Sequence, residues 1–547
     1  METRTGTSRT FDTAVKTVAF LLPLAVILIV LSVYGIRYHT NDDATLANIA
    51  AGAYGDVYHM VYVNMLFSVI LRPFYALASA NWYAIVQIAL VAVSMGCVGV
   101  VLVKKNGALS GLLQTMCLTI PFAIPVFYMF QYTKNAAIIS AGGLVLIARE
   151  LGSFSFAAIL GCILALLGSL IRFEAFAMAG ALFAVPLLFG FFRLDGTGKK
   201  KAVILMVVLL SSVFVRKGID IAYYNSDEGW KTYREYNRAR MNFSDHKMYL
   251  VGRENPFSDK GVSDIDYEML RLWDFFDEER FSRDFLNGLS DGVDYPPLSD
   301  SLKALPGRLF ETAAASSYGK ATVFFLCLTV LFSILFRGKR LWALLFQIAV
   351  FLAVVTYLTW SQRMPSYVDL GLFFSLIAGS LCISLPDEKM KIVFPASAVL
   401  LLACLAVTVP TLRGLRSDSR YYKDWATWEQ SYFEEMSRHK ENLYLLATES
   451  INVAAGLDVW HPRTDGFYSN IVAFGGWLSN APHRKEVLRN YGLERPIADA
   501  VDKENVFLDY HNIRNVTAYA SQEAGTEVEA VSVGDNAFVP YQLKSKP

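Results

Sequence analysis

Hydrophobic residues along this chain are collected into long blocks and do not alternate with polar residues in amphipathic patterns. The blocks have about 17 to 24 residues, the length of a helix that crosses roughly 30 Å of hydrocarbon. They lie at 17–36, 58–79, 82–103, 107–130, 132–148, 155–171, 174–192, 202–222, 319–336, 341–359, 367–385 and 391–410. No small-residue cleavage site follows the first block, so we expect a retained span. The pattern predicts a polytopic α-helical membrane protein.

One block is better explained as a helix on the membrane surface. Block 58–79 contains Asn64, Arg72 and Pro73, and it nearly adjoins the next block. If it crossed the membrane, the basic connectors at the ends of several spans would lie outside, against the tendency of such loops to stay cytoplasmic. These connectors are 104–107, 193–201, 337–340 and 387–391. An interfacial or re-entrant block 58–79 leaves about 11 transmembrane helices and places the connectors inside.

This topology divides the chain into four parts. They are an N-terminal membrane domain (1–222, with a first outer loop at 37–81), a large outer loop (223–317), C-terminal membrane helices (318–410) and an outer soluble domain (411–547). The outer loop has helical stretches such as 266–286, and the tail ends in the strand-like sequences NVFLDYH, VTAYASQ and TEVEAVSV. We therefore expect a helical loop region and a small C-terminal α/β domain on the outer face.

Composition agrees with a membrane protein and narrows the chemistry. Only 18% of the residues are charged, whereas a soluble chain has about a quarter. All six cysteines lie inside apolar blocks, and the histidines form no pair at helical ligand spacing. The sequence therefore predicts neither a disulfide framework nor a metal site built from cysteines or a histidine pair.

Two adjacent carboxylates, Asp42 and Asp43, follow the first span almost at once. One explanation is that Asp42 caps a short helix whose apolar face includes Leu46 and Ile49. Capping explains one acid only, and two like charges repel unless a cation or polar partner is near. The pair also suits a base that deprotonates an acceptor hydroxyl and a neighbour that orients it, with the identity of the base left open.

Cationic residues recur at the outer ends of spans, at Arg172, Arg216, Lys217 and Arg363. Each one taken singly is explained as a snorkelling anchor. Several on one side of a membrane also suit the phosphate of a lipid carrier, which arginine binds with paired donors. We expect these four residues to bind a donor phosphate, with Arg172 and Arg363 the strongest candidates.

Polar and aromatic residues of the outer segments form a candidate groove for a sugar or an acceptor. In the outer loop four of them recur at three- and four-residue spacing, which places them on one face of a helix. Such a stripe either lines a groove or docks the helix on the membrane domain. The candidates are Tyr58, His59, Tyr233, Tyr236, Asn237 and Arg240.

The order of these features resembles the GT-C glycosyltransferases, and more narrowly the branch of protein O-mannosyltransferases and aminoarabinose transferases. The matching pieces are an apolar first span, the acidic pair in DDATLANI, and the surface stretch YVNMLFSVILRPFYALASANWYA. By this resemblance Asp42 falls on the acid proposed as base, and Asp43 on its acidic neighbour. The chain departs from the pattern at 43, where the family has Glu, and in its long loop. It is also similar to uncharacterised Gram-positive bacterial membrane proteins that share NDD, QYTKNAA, WKTYREYNRAR and GGW followed by YGL.

The resemblance implies a GT-C-like fold and an inverting glycosyltransferase of the bacterial cytoplasmic membrane. A polyprenyl-phosphate sugar would be the donor, a glycan, lipid or protein the acceptor, and the active site would face the extracytoplasmic side. No nucleic acid partner is implied; no cofactor is certain, and a divalent cation is left open. One alternative is a transporter or flippase of lipid-linked saccharides, which would place charges at mid-span. Another is a polysaccharide polymerase or ligase, which would depend on outer arginines more than on Asp42.

Overall fold

The computed structural model of the chain is mostly helical and describes residues 3–335, 339–384, 392–447, 459–464, 466–509, 511–533 and 540–546. Its helices are α1 (Thr3–Tyr34), α2 (Asn41–Ala50), α3 (Met65–Leu77), α4 (Trp82–Asn106), α5 (Ala108–Tyr128), α6 (Tyr132–Arg149), α7 (Phe156–Ile171), α8 (Phe173–Phe191), α9 (Gly196–Asn225), α10 (Glu228–Met241), α11 (Asp264–Arg271), α12 (Arg283–Asp291), α13 (Leu298–Ala315), α14 (Ser317–Leu335), α15 (Lys339–Trp360), α16 (Ser366–Ser384), α17 (Val393–Arg438), α18 (Pro482–Asn490) and α19 (Ile513–Ala524).

Within the described ranges, nine helices are long and apolar enough to cross a membrane: α1, α4, α5, α8, α9 and α14 to α17. The two remaining predicted spans are α6 and α7, which have 18 and 16 residues. Every one of the predicted spans therefore contains a helix, and the polytopic helical fold is confirmed. The connector 387–391 and residues 337 and 338 lie outside the described residues.

Helix α3 begins and ends at the same end of the bundle. At its start, the amide of Met65 donates to Asp220 Oδ1 at 3.0 Å, near the end of α9. After its end, the side chain of Asn81 donates to the hydroxyl of Tyr38 at 2.7 Å, just beyond α1. Because α1 and α9 are the first and seventh spans, they run in the same direction. Block 58–79 therefore does not cross the bundle, and the end where α1 finishes is called the Asp42 end below.

The strands are β1 (Arg37–Tyr38), β2 (Met129–Phe130), β3 (Leu443–Leu446), β4 (Ile471–Ala473), β5 (Val506–Leu508), β6 (Val528–Ser532) and β7 (Tyr541–Ser545). The short parallel pair β1–β2 joins the segment after α1 to the start of α6. The other five form one sheet in the order β4-β3-β5-β7-β6, with β3 parallel to both of its neighbours. The small C-terminal α/β domain is therefore confirmed.

The outer loop and the C-terminal domain share one hydrophobic core. Phe276 of the loop contacts Phe474 and Tyr519 of the domain edge to face, with ring centroids 5.3 Å apart in both pairs. Buried apolar residues of α11 and α12 belong to the same cluster as those of β3 and β5. The two segments therefore fold together, and this single body covers the Asp42 end.

Three local features differ from the sequence predictions. The predicted strand VTAYASQ lies in α19, because its buried Val516, Tyr519 and Ala520 have the three- and four-residue spacing of a helix face. The stretch 266–286 is two helices, α11 and α12, separated by a segment in which Trp273 has a φ of 65°. Helix α17 continues past residue 410, so the last span and the start of the tail are one helix.

Candidate active site

The acidic pair lies in the first turn of α2. Unpaired backbone amides and the helix dipole favour negative charge at this position. The N-cap residue is Thr40, and its side chain makes no capping hydrogen bond. Asp42 is the second residue of the helix, so the prediction that Asp42 is the N-cap is wrong.

Asp43 is completely enclosed. Its Oδ1 accepts hydrogen bonds from the Tyr132 amide at 2.9 Å and the Tyr83 hydroxyl at 3.1 Å. Its Oδ2 lies 3.2 Å from the Thr40 hydroxyl. Burial, followed by the neighbouring Asp42, raises the pKa of Asp43 well above its usual range. Asp43 therefore holds α2 against the start of α6, and both of its oxygens are occupied.

Asp42 is half-buried and is the more accessible acid of the pair. The indole of Trp477 lies close to its carboxylate and favours the ionised form. Burial raises the pKa of Asp42, and nearby Asp245 raises it further, while Arg172 and Arg240 oppose this shift. Asp42 thus lies between cationic and acidic side chains, next to the indole of Trp477.

A buried network beside Asp42 joins α10 to the turn after α15. The guanidinium of Arg240 has no exposed surface and donates to Asn237 Oδ1 at 2.8 Å, Asp245 Oδ1 at 3.1 Å and the Tyr62 hydroxyl at 3.1 Å. The second oxygen of Asp245 accepts from Arg363 Nη1 at 3.3 Å. Asp245 therefore bridges two arginines and fixes the outer loop at the site.

A cavity of about 250 Å³ opens next to this cluster, where the ends of α7, α8, α9 and α10 meet the segment before α3. Its charged lining residues are Arg172, Glu174, Arg216, Lys217, Asp220, Arg234 and Arg238. Arg172 Nε pairs with Glu174 at 2.9 Å, and its Nη1 donates to the Tyr132 hydroxyl at 3.3 Å. Tyr62 also lines the cavity, and burial raises its pKa to about 12, so its phenol stays protonated. The excess of cationic over acidic groups makes the cavity suitable for an anion.

The structure separates the four predicted phosphate residues. Arg172, Arg216 and Lys217 line the cavity, whereas Arg363 is held by Asp245 outside this lining. All three guanidinium nitrogens of Arg216 donate to main-chain or hydroxyl oxygens of α9 and α7, so it also anchors these helices. Lys217 is 43% exposed and 3.8 Å from Asp220. Arg172 and Lys217 therefore line the cavity, each with an acidic neighbour, and Lys217 is the more exposed of the two.

The helix stripe in the outer loop divides between packing and the site. The hydroxyl of Tyr233 donates to the Trp477 carbonyl, and that of Tyr236 donates to the Phe275 carbonyl at 3.3 Å. Both tyrosines are buried, so docking explains them. Asn237 lines the cavity and accepts from Arg240, which places this part of the stripe at the site.

The two candidates in the interfacial stretch have other partners. His59 stacks on Trp230 with 3.9 Å between ring centroids, and burial lowers its pKa to about 4. Tyr58 contacts the guanidinium of Arg72 and donates to Asp56 at 2.8 Å. His59 therefore helps to dock α10, and Tyr58 contacts its own segment.

Sequence reasoning did not offer Trp477 as a site residue, and it offered Asp245, Tyr62 and Tyr132 only as members of a polar loop stripe and an outer aromatic set, without linking them to the acidic pair. Trp477 belongs to GGW and Tyr132 to QYTKNAA, two motifs that were noticed only as a likeness to other chains. Both motifs meet the acidic pair in the structure, since Trp477 lies next to Asp42 and the Tyr132 amide donates to Asp43. The two motifs lie far from the acidic pair in the sequence, so this proximity could not be predicted without the structure.

The arrangement supplies one accessible carboxylate and one cationic cavity side by side. Chemically it can take a proton from a hydroxyl and hold an anionic group next to it. Over the part of the chain that the structure describes, no group of three or more His, Cys, Asp or Glu residues is placed to hold a metal ion.

The similarity of this chain to known proteins is structural and distant in sequence. No protein-family model and no curated protein matches it. Among solved structures it is similar to ArnT from Cupriavidus metallidurans in the apo state, with a TM-score of 0.39 and 12% identity over 96% of this chain and 97% of that chain. It is also similar to ArnT from Cupriavidus metallidurans bound to undecaprenyl phosphate, with a TM-score of 0.36, 12% identity and the same coverage.

Proposed function

We propose that the protein is an inverting glycosyltransferase that moves a sugar from a polyprenyl-phosphate donor to an acceptor on the outer face of the bacterial cytoplasmic membrane. The observation that carries this proposal is the position of Arg172. It lines the cationic cavity, and its charge acts on Asp42. Because Arg172 acts on both the cavity and Asp42, a donor phosphate in the cavity would lie next to an acceptor hydroxyl at Asp42.

In the proposed reaction, Asp42 takes the proton of an acceptor hydroxyl as its oxygen attacks the anomeric carbon of the sugar. The bond between that carbon and the phosphate oxygen breaks, and the phosphate leaves with the electron pair. Arg172 and Lys217 stabilise the negative charge that develops on the phosphate. A single displacement inverts the anomeric configuration and needs one base. Asp43, with both oxygens bonded, keeps α2 in place during this step.

The lining of the cavity also suits a phosphate that is carried by a lipid. Leu170, Phe173 and Val213 contribute apolar surface next to the charged groups. Leu170 and Phe173 lie at the ends of α7 and α8, where a membrane helix bundle meets the interface, and Val213 lies deeper along α9. A lipid phosphate can therefore reach the cations while its hydrocarbon remains at membrane depth.

Binding of polyprenyl phosphate, the expected product, tests the proposal without knowledge of the sugar. The wild-type protein should bind it more tightly than the matching polyprenol, because only the phosphate meets Arg172. Loss of one charge-assisted contact costs roughly 1.5–3 kcal/mol, so Arg172→Ala should weaken binding about 10- to 150-fold. Arg363→Ala should have a smaller effect, since Arg363 lies outside the cavity lining.

Arg149→Ala is a matched control, because Arg149 is exposed and lies at the last turn of α6, at the opposite end of the bundle. It should leave binding unchanged. Equal affinity of the wild type for polyprenyl phosphate and polyprenol, or wild-type phosphate binding by Arg172→Ala, would contradict the proposed site.

A further inference from the structure

A buried arginine without an acidic partner lies where the C-terminal domain meets α2. Among the described residues, two arginines are almost completely buried, Arg240 with 0% and Arg484 with 4% of the residue exposed. Arg240 is paired with Asp245, whereas Arg484 of α18 forms no ion pair with any described residue. Its Nη1 donates to the Ala473 carbonyl at 2.9 Å, and its buried Nε has no hydrogen-bond partner.

The surroundings of Arg484 do not neutralise its charge. A guanidinium stays charged in a protein, and burial of a charge is strongly unfavourable unless a counter-charge accompanies it. The main groups that interact with Arg484 are the phenols of Tyr54, Tyr233 and Tyr468, and burial raises the pKa of each of them, so they stay neutral. The guanidinium lies 5.7 Å from the centre of the Tyr54 ring, a cation–π contact that offsets only part of the cost. Within the described part of the chain, the charge of Arg484 therefore lacks a counter-ion.

A small cavity, called the Arg484 cavity below, lies directly against this guanidinium. It has a volume of about 20 Å³ and lies between α2, α17, β3 and β4. Its polar lining residues are Thr45, Asn48, Tyr54, Tyr468 and Arg484. All five side chains can donate hydrogen bonds, and the other described lining residues are apolar, so no carboxylate is among them. A lining of donors around one fixed positive charge suits an anion.

The size of the cavity selects among anions. A single water molecule needs roughly 10–15 Å³ of such space, so about 20 Å³ holds one small ion. A sulfate, a phosphate or a sugar acid is too large for it. A water molecule fits the space but leaves the charge of Arg484 uncompensated. A halide ion satisfies both the size of the cavity and the charge of its lining.

We propose that the Arg484 cavity binds one chloride ion between α2 and the C-terminal domain. Thr45 and Asn48 belong to α2, the helix that also carries Asp42, whereas Tyr468 and Arg484 belong to the domain. The ion therefore fastens the domain that covers the Asp42 end to the helix that carries the acidic pair. Its binding does not depend on sugar transfer, so this inference stands apart from the proposed function.

The test is unfolding of the full-length protein in mixed micelles at constant ionic strength, with gluconate, which is too large for the cavity, in place of chloride. An ion that binds only the folded state should lower the unfolding equilibrium constant about tenfold for each tenfold rise of chloride above its Kd. Arg484→Met removes the charge and keeps an unbranched side chain, so its unfolding constant should not depend on chloride. Arg489→Met makes the same change at an exposed position of α18 and should respond to chloride as the wild type does.

A second variant keeps the buried charge and weakens the site. Tyr468→Phe retains the ring and removes one hydroxyl donor, so it should need at least about tenfold more chloride for the same stabilisation. Asp42→Asn should keep the full chloride response, which separates this result from any failure of the proposed function. Wild-type unfolding that does not depend on chloride, or an equal chloride response in Arg484→Met, would overturn the proposal.

Discussion

Replacing Arg240 with glutamine should destabilise the protein more than the same change at Arg363, although both arginines bind Asp245. The Arg240 side chain is 0% exposed and that of Arg363 is 32% exposed. Removal of one partner of a buried ion pair costs about 3–5 kcal/mol, because the other charge is left uncompensated. Asp245 keeps its contact with Arg363, so we expect a loss near the lower limit, about 3 kcal/mol. Arg363→Gln should cost about 1 kcal/mol or less.

The assay is reversible unfolding in mixed micelles, followed by tryptophan fluorescence. A double variant supplies the control. Asp245→Asn in the Arg240→Gln background should recover part of the lost stability, because no buried charge then lacks its main partner. Wild-type stability of Arg240→Gln would refute the reasoning. So would an Asp245→Asn effect that adds fully to that of Arg240→Gln, since coupled residues are not additive.

Two further predictions concern topology and pH. In a cysteine-free background, Ser299→Cys and Ser532→Cys should react with a membrane-impermeant reagent added from outside. Cysteines placed in 104–107 or 337–340 should not react. Labelling of 337–340 from outside would mean that the orientation is the reverse of the predicted one. Asp42 must be ionised to act as a base, so the transfer rate should fall as pH drops through its raised pKa. Asp245→Asn removes a charge that raises this pKa and should move the acid limb of the rate profile to lower pH, and Arg172→Gln should move it to higher pH. Identical acid limbs in all three proteins would contradict the electrostatic account.

The helices of the membrane domain could be predicted because apolar length alone specifies a span. The block that contains α3 could be distinguished from the membrane spans because it includes Asn64, Arg72 and Pro73, and because the charge of the connectors required one span fewer. The acidic pair and Arg172 are candidates because charges beside an apolar block stand out. Each of these signals depends only on residues that are close together in the sequence, so it can be recognised without the structure.

The partners of these residues could not be predicted in the same way. Trp477 lies more than four hundred residues from Asp42, and Asp245 reaches Arg363 from another element of the fold. Only tertiary packing brings them together. The wrong assignment of VTAYASQ has a related cause, because its apolar residues fit a period of two as well as a helix face, and burial against α11 and β6 selected the helix.

The most direct measurement of the central claim is the rate of sugar transfer by Asp42→Asn. This change keeps the size of the side chain and removes the basic oxygen, so the protein should fold and should still bind polyprenyl phosphate. Removal of a positioned base lowers a rate about 10²–10⁴-fold, and we predict a loss in this range. Asp43→Asn should lose less, because Asp43 acts by holding α2. A folded Asp42→Asn protein that transfers sugar at nearly the wild-type rate would contradict the assignment of Asp42 as the base.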